Sequence, residues 1–464
     1  MRRIVIIGGS AAGMMAAIAA AEESPDVEVT VVTQDRTPYR RPATPALIGG
    51  YITDPAEIRV FSPETLARHN IKLICPAGAT NIDPQNKVIS IQHDGRKERL
   101  SYDAAVIATG GHPLMPSIAG ADKKGVCSFT TYEGAAEIAD RARSASCAVV
   151  IGAGFIALEV AEALMHKGLD VYFNVRTRML RKLLEPDVSE FLCHEFSRKG
   201  LKMLTSEEIS EIGGEDRVEY VVHKSRKIAT NLVVMGTGTK PNVGLAAGCG
   251  IKTGPSGAIK VDNRMQTSIE NIYAAGDCAE SPDLATGKSI YSPVGSIGAS
   301  AGKIAGRNAA GANQKTKGFL RAQADEILGM QIYSIGHSST TAKEVNLTVK
   351  VHNIDAHQLG HRSRTTKPFE IAKLLTDTND RIVGAQLVAK KYGSQFARQL
   401  YVAVLHGPNK EEFLEQFNWP RIKLAEALLD AARSVVVVES VGQGEALALA
   451  NIPSHKKINQ QCED

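Results

Sequence analysis

Two short glycine-containing runs carry the clearest chemistry in this 464-residue chain. Gly8-Gly9-Ser10-Ala11-Ala12-Gly13 and Gly152-Ala153-Gly154-Phe155-Ile156-Ala157 each offer backbone N–H groups with little side chain in front of them. A pyrophosphate needs such a surface at a helix N-terminus, where the first peptide N–H groups lack partners. In the first run Gly8 and Gly13 supply the tight turn and the close helix packing. Ser10 takes the second-glycine place, where its hydroxyl can donate to phosphate. In the second run Gly152 and Gly154 are intact, and Ala157 is small enough to replace the third glycine. Ordinary βα turns would explain either run alone; two with matching flanks point to two bound nucleotides.

The strand after each run should end near a ribose. The first ends Val32-Thr33-Gln34-Asp35, with Thr33 at the usual acid position, so Asp35 is the expected carboxylate for the ribose hydroxyls. The second ends Val175-Arg176-Thr177-Arg178 and lacks an acid. Arginine there pairs with a 2′-phosphate, which favours NADPH over NADH; the alternative is two solvated surface arginines.

These groups need elements to hold them. Strand Ile4–Ile7, helix Ala11–Glu22 and strand Val27–Val32 form the first unit, although the apolar stretch behind Arg2-Arg3 mimics a signal peptide or membrane span. Strand Val149–Ile151, helix Leu158–Lys167 and strand Val171–Val175 form the second. Further short strands end at Ala108-Thr109-Gly110, at Gly236-Thr237-Gly238 and at Gly276-Asp277, and Ser296–Ala310 reads as a small-residue helix. From about residue 321 the texture becomes α+β. Strands are expected at Leu347–Val351, Phe369–Leu375 and Ile382–Leu387, and helices at Gln395–Leu405 and Lys423–Ala432. The fold class is α/β, two Rossmann-like nucleotide-binding domains with a C-terminal α+β domain.

Composition narrows the rest. A formal charge of +4 and 5% aromatic residues argue against nucleic acid as a partner. Seven cysteines without a C-x-x-C pair indicate neither a zinc ribbon nor a disulfide scaffold, and fit reduced thiols in the cytoplasm. No metal site is expected; His352, His357 and His361 read as solvated, and no membrane association is expected.

The order of motifs resembles the pyridine nucleotide–disulfide oxidoreductases over about residues 1–440, and within them the coenzyme A-disulfide reductases and NADH oxidases. The resemblance implies a split FAD domain (1–113 and 242–320), an inserted NAD(P)H domain (114–241), a C-terminal dimerisation domain (321–446), a mobile tail (447–464) and a homodimer. It implies that Gly8–Gly13 hold the FAD pyrophosphate, with Ala108, Thr109, Gly110, Gly276 and Asp277 on the same cofactor and Ala79 touching adenine. Gly152, Gly154, Phe155, Ile156, Gly236 and Gly238 would serve the nicotinamide nucleotide. Phe155 would lie over the flavin, Glu159 near the nicotinamide, and the helix from Ser296 would aim its N-terminus at the flavin.

One departure decides the expected chemistry. Where the subgroup carries its redox cysteine, aligning Pro45 and Gly49-Gly50 places Pro42. The segment Tyr39-Arg40-Arg41-Pro42 is instead similar to the Y-x-R-P segment of rubredoxin and ferredoxin reductases, which places Arg41 and Pro42 at the flavin. Glu22 and Glu23 end the first helix where coenzyme A-reducing relatives carry arginines. The expectation is therefore hydride transfer from NAD(P)H to FAD, then electron transfer to an external acceptor, a small electron-transfer protein, without a redox disulfide. The alternatives are an oxidase making hydrogen peroxide, a disulfide or polysulfide reductase using a thiol such as Cys462, and a non-catalytic sensor.

Overall fold

The computed structural model describes residues 1–129, 131–355, 369–407 and 409–410. Cys462, His357, His361, the expected helix Lys423–Ala432 and the tail lie outside them. The chain forms two compact units, one of residues 1–152, 163–172 and 209–319, the other of 153–162, 173–208 and the described residues from 320 on.

The first unit is built on a five-stranded parallel sheet. Its order is Ile272–Ala274, Ala104–Ile107, Arg2–Ile7, Val27–Val32, Ile71–Ile74. These strands read as unbroken apolar runs because both faces are covered; Ile4, Ile6, Val31 and Ala104–Ile107 are fully buried. The chain leaves Arg2–Ile7 toward Val27–Val32 on one side and meets Ala104–Ile107 on the other. That reversal opens a crevice at the carboxyl ends of the strands. An antiparallel meander, Ala77–Asp83, Val88–His93 and Arg96–Ser101, follows.

A second five-stranded sheet repeats the pattern in the order Lys202–Thr205, Asp170–Val175, Cys147–Gly152, Val233–Gly236, Val126–Ser128. Gly152 and Gly236 are register partners at the ends of neighbouring parallel strands. Both parallel sheets have the doubly wound order expected from the glycine runs.

The second unit contains an antiparallel sheet in the order Ala322–Ile327, Met330–Gly336, Ile382–Ala389, Ile371–Thr376, Lys350–Asn353. Helix Gly393–His406 packs on it through Phe396, Leu400 and Val404. The expected strand Leu347–Val351 starts only at Lys350. Ser338 caps a helix over Ser339–Glu344, and Asn346 then turns left-handed (φ 54°), which delays the strand. Among the described residues no helix is long and apolar enough to cross a membrane.

Candidate functional site

The first glycine run lies in the crevice of the first unit. Gly8 has φ +118°, and a Cβ there would fall 2.0 Å from the Ala108 carbonyl oxygen. A Cβ on Gly13 would fall 1.9 Å from Gly8 O, and one on Gly9 would press on the Thr33 side chain at 2.8 Å. Only glycine fits at these three places. Thr33 at the strand end gives the steric reason for Gly9 in that run. Ser10 caps helix Ala11–Glu23 through its backbone; its hydroxyl makes no cap bond and the first turn holds no acid. A helix start with bare N–H groups and no carboxylate suits an anion.

A second helix start converges on the same place. Helix Gly295–Ala310 also has no acid in its first turn and no side-chain cap. A Cβ on Gly298 would approach Gly276 Cα at 3.2 Å, and one on Gly276 (φ +83°) would meet Ala12 at 2.8 Å. Gly276 thus brings Asp277 beside the N-terminal turns of both helices.

Three charged residues are electrostatically linked here. Burial raises the Asp277 carboxyl, and the Arg41 guanidinium opposes that rise. Burial also raises Asp35; Arg41 opposes this, Glu133 adds to it, and the Thr33 hydroxyl lowers it. Arg41 is therefore the shared counter-charge of two acids distant in sequence. Its guanidinium lies 3.6 Å from where a Gly110 Cβ would stand. It belongs to a short 3₁₀ turn, Arg41–Ala43, which exposes Pro42 and is closed by Thr44 Oγ1 donating to Arg41 O at 2.6 Å. Thr109 is tied to Asn242 by two bonds of 2.8 Å, Thr109 Oγ1 to Asn242 O and Asn242 Nδ2 to Thr109 O. Ala79 lines an open cleft of about 310 Å³ with Gln34, Pro76, Gly78, Thr80 and Gln92. Gln34 and Gln92 were not expected; the position of Gln34 just past the strand end was the available signal.

The second run leads from strand Cys147–Gly152 into helix Phe155–His166. A Cβ on Gly154 would meet nothing within 4 Å, so this turn is open. Phe155 is buried, whereas Ile156 is 45% exposed. The Glu159 carboxyl is pushed well above the carboxylate range by burial first, then by its hydrogen bond with Asp325 and the charges of Asp325 and Glu162. Gly238 (φ +108°) ends the Val233–Gly236 strand region, its carbonyl accepting from Leu114 N at 2.9 Å.

The two arginines behave differently. Arg176 is 69% exposed and faces Glu208 at 3.5 Å. Arg178 donates to Leu184 O and Arg181 O, both at 3.0 Å, and to Thr340 Oγ1 at 3.3 Å.

No described thiol sits on the Arg41–Pro42 turn. Cys278, next to Asp277, is fully buried and donates to Ile107 O and Ala275 O at 3.4 Å. The free described cysteines are Cys75, Cys127, Cys147, Cys193, Cys249 and Cys278. His352 Nε2 lies 2.9 Å from Thr376 Oγ1.

The glycine cradle, the two bare helix starts and Asp277 fit a dinucleotide such as FAD. A family model described as pyridine nucleotide-disulphide oxidoreductase matches residues 2–288. An NADH oxidase of Methanocaldococcus jannaschii is 31% identical over 416 residues, 88% of this chain and 92% of that protein. The assimilatory nitrate reductase electron transfer subunit of Bacillus subtilis is 37% identical over 227 residues, 48% of this chain and 29% of that protein. Among solved structures, the NAD-dependent persulfide reductase from A. fulgidus matches with a TM-score of 0.82 at 30% identity, over 88% of this chain and 78% of that one.

Proposed function

Since this chain belongs to the pyridine nucleotide-disulphide oxidoreductase family and is an FAD-dependent NAD(P)H oxidoreductase, we propose that it passes electrons from NADPH to a small electron-transfer protein without a redox-active disulfide. The observation that carries this reading is the Tyr39–Gly50 segment, where Arg41 stands over Gly110 beside the thiol-free Pro42. A bound FAD would supply the redox chemistry, the capacity to accept a hydride equivalent and to release electrons in a pair or singly.

The chain's residues supply position and charge. Backbone N–H groups from Gly8 to Gly13 hold the pyrophosphate, and Asp277 binds the polar chain next to it. The start of the Gly295–Ala310 helix presents its positive end to the ring system. Burial and the neighbouring Asp325 favour the protonated form of Glu159, and in that form it can donate a hydrogen bond to an amide carbonyl. Arg176 takes the 2′-phosphate of NADPH. This reading keeps residues 1–113 with 242–320 as the FAD domain, 114–241 as the NAD(P)H domain, and 321–446 as the surface through which two copies form a dimer.

A second reading, an oxidase that stops at hydrogen peroxide, is favoured by the similarity to an NADH oxidase. Anaerobic mixing with NADPH or NADH, followed at about 450 nm where oxidised flavin absorbs, tests the first half. The reduced enzyme is then offered a small iron–sulfur protein, polysulfide or oxygen. The proposal expects faster bleaching with NADPH and fast reoxidation by the iron–sulfur protein only. Rapid stoichiometric peroxide supports the oxidase instead, and rapid polysulfide turnover overturns both.

A further inference from the structure

The segment between strand Asp170–Val175 and helix Pro186–Arg198 carries both arginines, and its backbone is held both by one of them and from outside. Four consecutive carbonyls each receive a side-chain donor. Arg181 O and Leu184 O accept from Arg178. Lys182 O accepts from Ser338 Oγ and Leu183 O from Ser334 Oγ, both at 2.8 Å. Ser334 lies on strand Met330–Gly336, and Ser338 caps the helix Ser339–Glu344.

Glu185 closes the segment. It is 6% exposed, and its carboxylate accepts from Ser339 N and Ser339 Oγ at 2.8 Å and from Gln386 Nε2 at 3.4 Å. Its own N–H donates to Gln386 Oε1 at 2.8 Å, and Gln386 is 1% exposed. Two ion pairs flank it, Lys182 with Glu344 at 2.9 Å and the nearly buried Lys373 with Asp187 at 2.7 Å. A buried carboxylate with this many donors is fixed in place, because losing a donor leaves charge uncompensated. Arg178 is thereby a brace of the segment, and Arg176 is the arginine left facing solvent.

We infer that the Glu185–Ser339–Gln386 clamp is a positioning device for nucleotide choice, by which the C-terminal sheet and its short helix set how well the Arg176–Glu185 segment takes a 2′-phosphate. This rests on the reading that Arg176 receives that phosphate. The clamp touches no reacting atom, so it acts on binding and leaves the chemical step alone.

The test uses the FAD-loaded full chain, with NADPH and NADH affinities measured by fluorescence and kcat and KM measured in parallel. Gln386→Leu should weaken NADPH about tenfold, the effect of one lost charge-assisted bond, and NADH less than about threefold, with kcat and flavin content unchanged. Ser339→Ala, a milder change at a partly exposed position, should show the same direction if Gln386→Leu folds poorly. The double exchange Glu185→Gln with Gln386→Glu keeps donor and acceptor paired and should restore most of the preference. Equal losses for both nucleotides, an unchanged ratio, or a fall in kcat alone would overturn the clamp. Arg176→Ala separates the two ideas. If it abolishes the NADPH preference while clamp variants do not, the clamp alone fails; if it changes nothing, the phosphate reading fails and the clamp role falls with it.

Discussion

Glu159 shows how a single side chain is set by what folds against it. Asp325, on strand Ala322–Ile327, shares a hydrogen bond with it, and together with burial this keeps its proton on above the usual carboxylate range. A proton held more tightly in the folded state stabilises at pH values below the unfolded pKa of about 4.3. That contribution is lost as pH rises toward the folded value. Glu159→Gln should therefore gain stability over the parent as pH rises from 5 to 8, by at most about 1.4 kcal/mol per pH unit. Denaturant midpoints of both proteins at the two pH values check this, and a constant difference would refute it. Glu159 was expected near the nicotinamide by resemblance, but its acid partner was not legible. Asp325 lies on a hairpin whose turn, Leu328-Gly329, is left-handed at both residues (φ 48° and 70°), and leucine gives no turn signal there. The shared charge of Arg41 was hidden for a similar reason, since Asp35 and Asp277 meet it only through sheet order.

The helix Gly295–Ala310 is glycine-rich because it lies almost on the backbone of helix Ala11–Glu23. A Cβ on Gly302 would fall 2.1 Å from Ala12 O, and one on Gly306 2.0 Å from Ala16 O. The four-residue spacing of Gly298, Gly302 and Gly306 puts them on one face. Its small residues were legible in the sequence, but their partner was not, because nothing local says which helix they meet. Gly302→Ala should cost about 1–3 kcal/mol through overpacking and lower the bound flavin, read by thermal melting and by visible absorbance. Gly248→Ala is the control, since a Cβ there meets nothing within 4 Å, and it should be neutral or slightly stabilising. Equal behaviour of the two variants would contradict the packing account.

Across the molecule, the glycine runs and the α/β class were legible because βαβ units punctuate the sequence with glycine and alternate period. Antiparallel meanders lack that punctuation, so Glu211–Gly213, Tyr220–His223 and Arg226–Ala229 went unread. The cysteines also make sense only at this scale. Burial raises the thiols of Cys75, Cys193, Cys249 and Cys278, and raises Cys127 to about 12 with help from the charge of Glu137. Thiolate is the reactive form. Treating the native enzyme with iodoacetamide at pH 7 should therefore leave NADPH-driven electron transfer within about twofold of the untreated rate. Rapid inactivation that disappears in Cys462→Ser would show a thiol relay from the tail and sink the disulfide-free reading.

The contact between helices Ala11–Glu23 and Gly295–Ala310 also has a consequence for synthesis. The first glycine run is made well before the partner of its own helix, which begins 284 residues downstream (295 − 11). Asp277 and the second helix start arrive only with that downstream segment. The cradle is thus completed only once that downstream segment has been made, and the helix Ala11–Glu23 must wait for its partner with an apolar face uncovered.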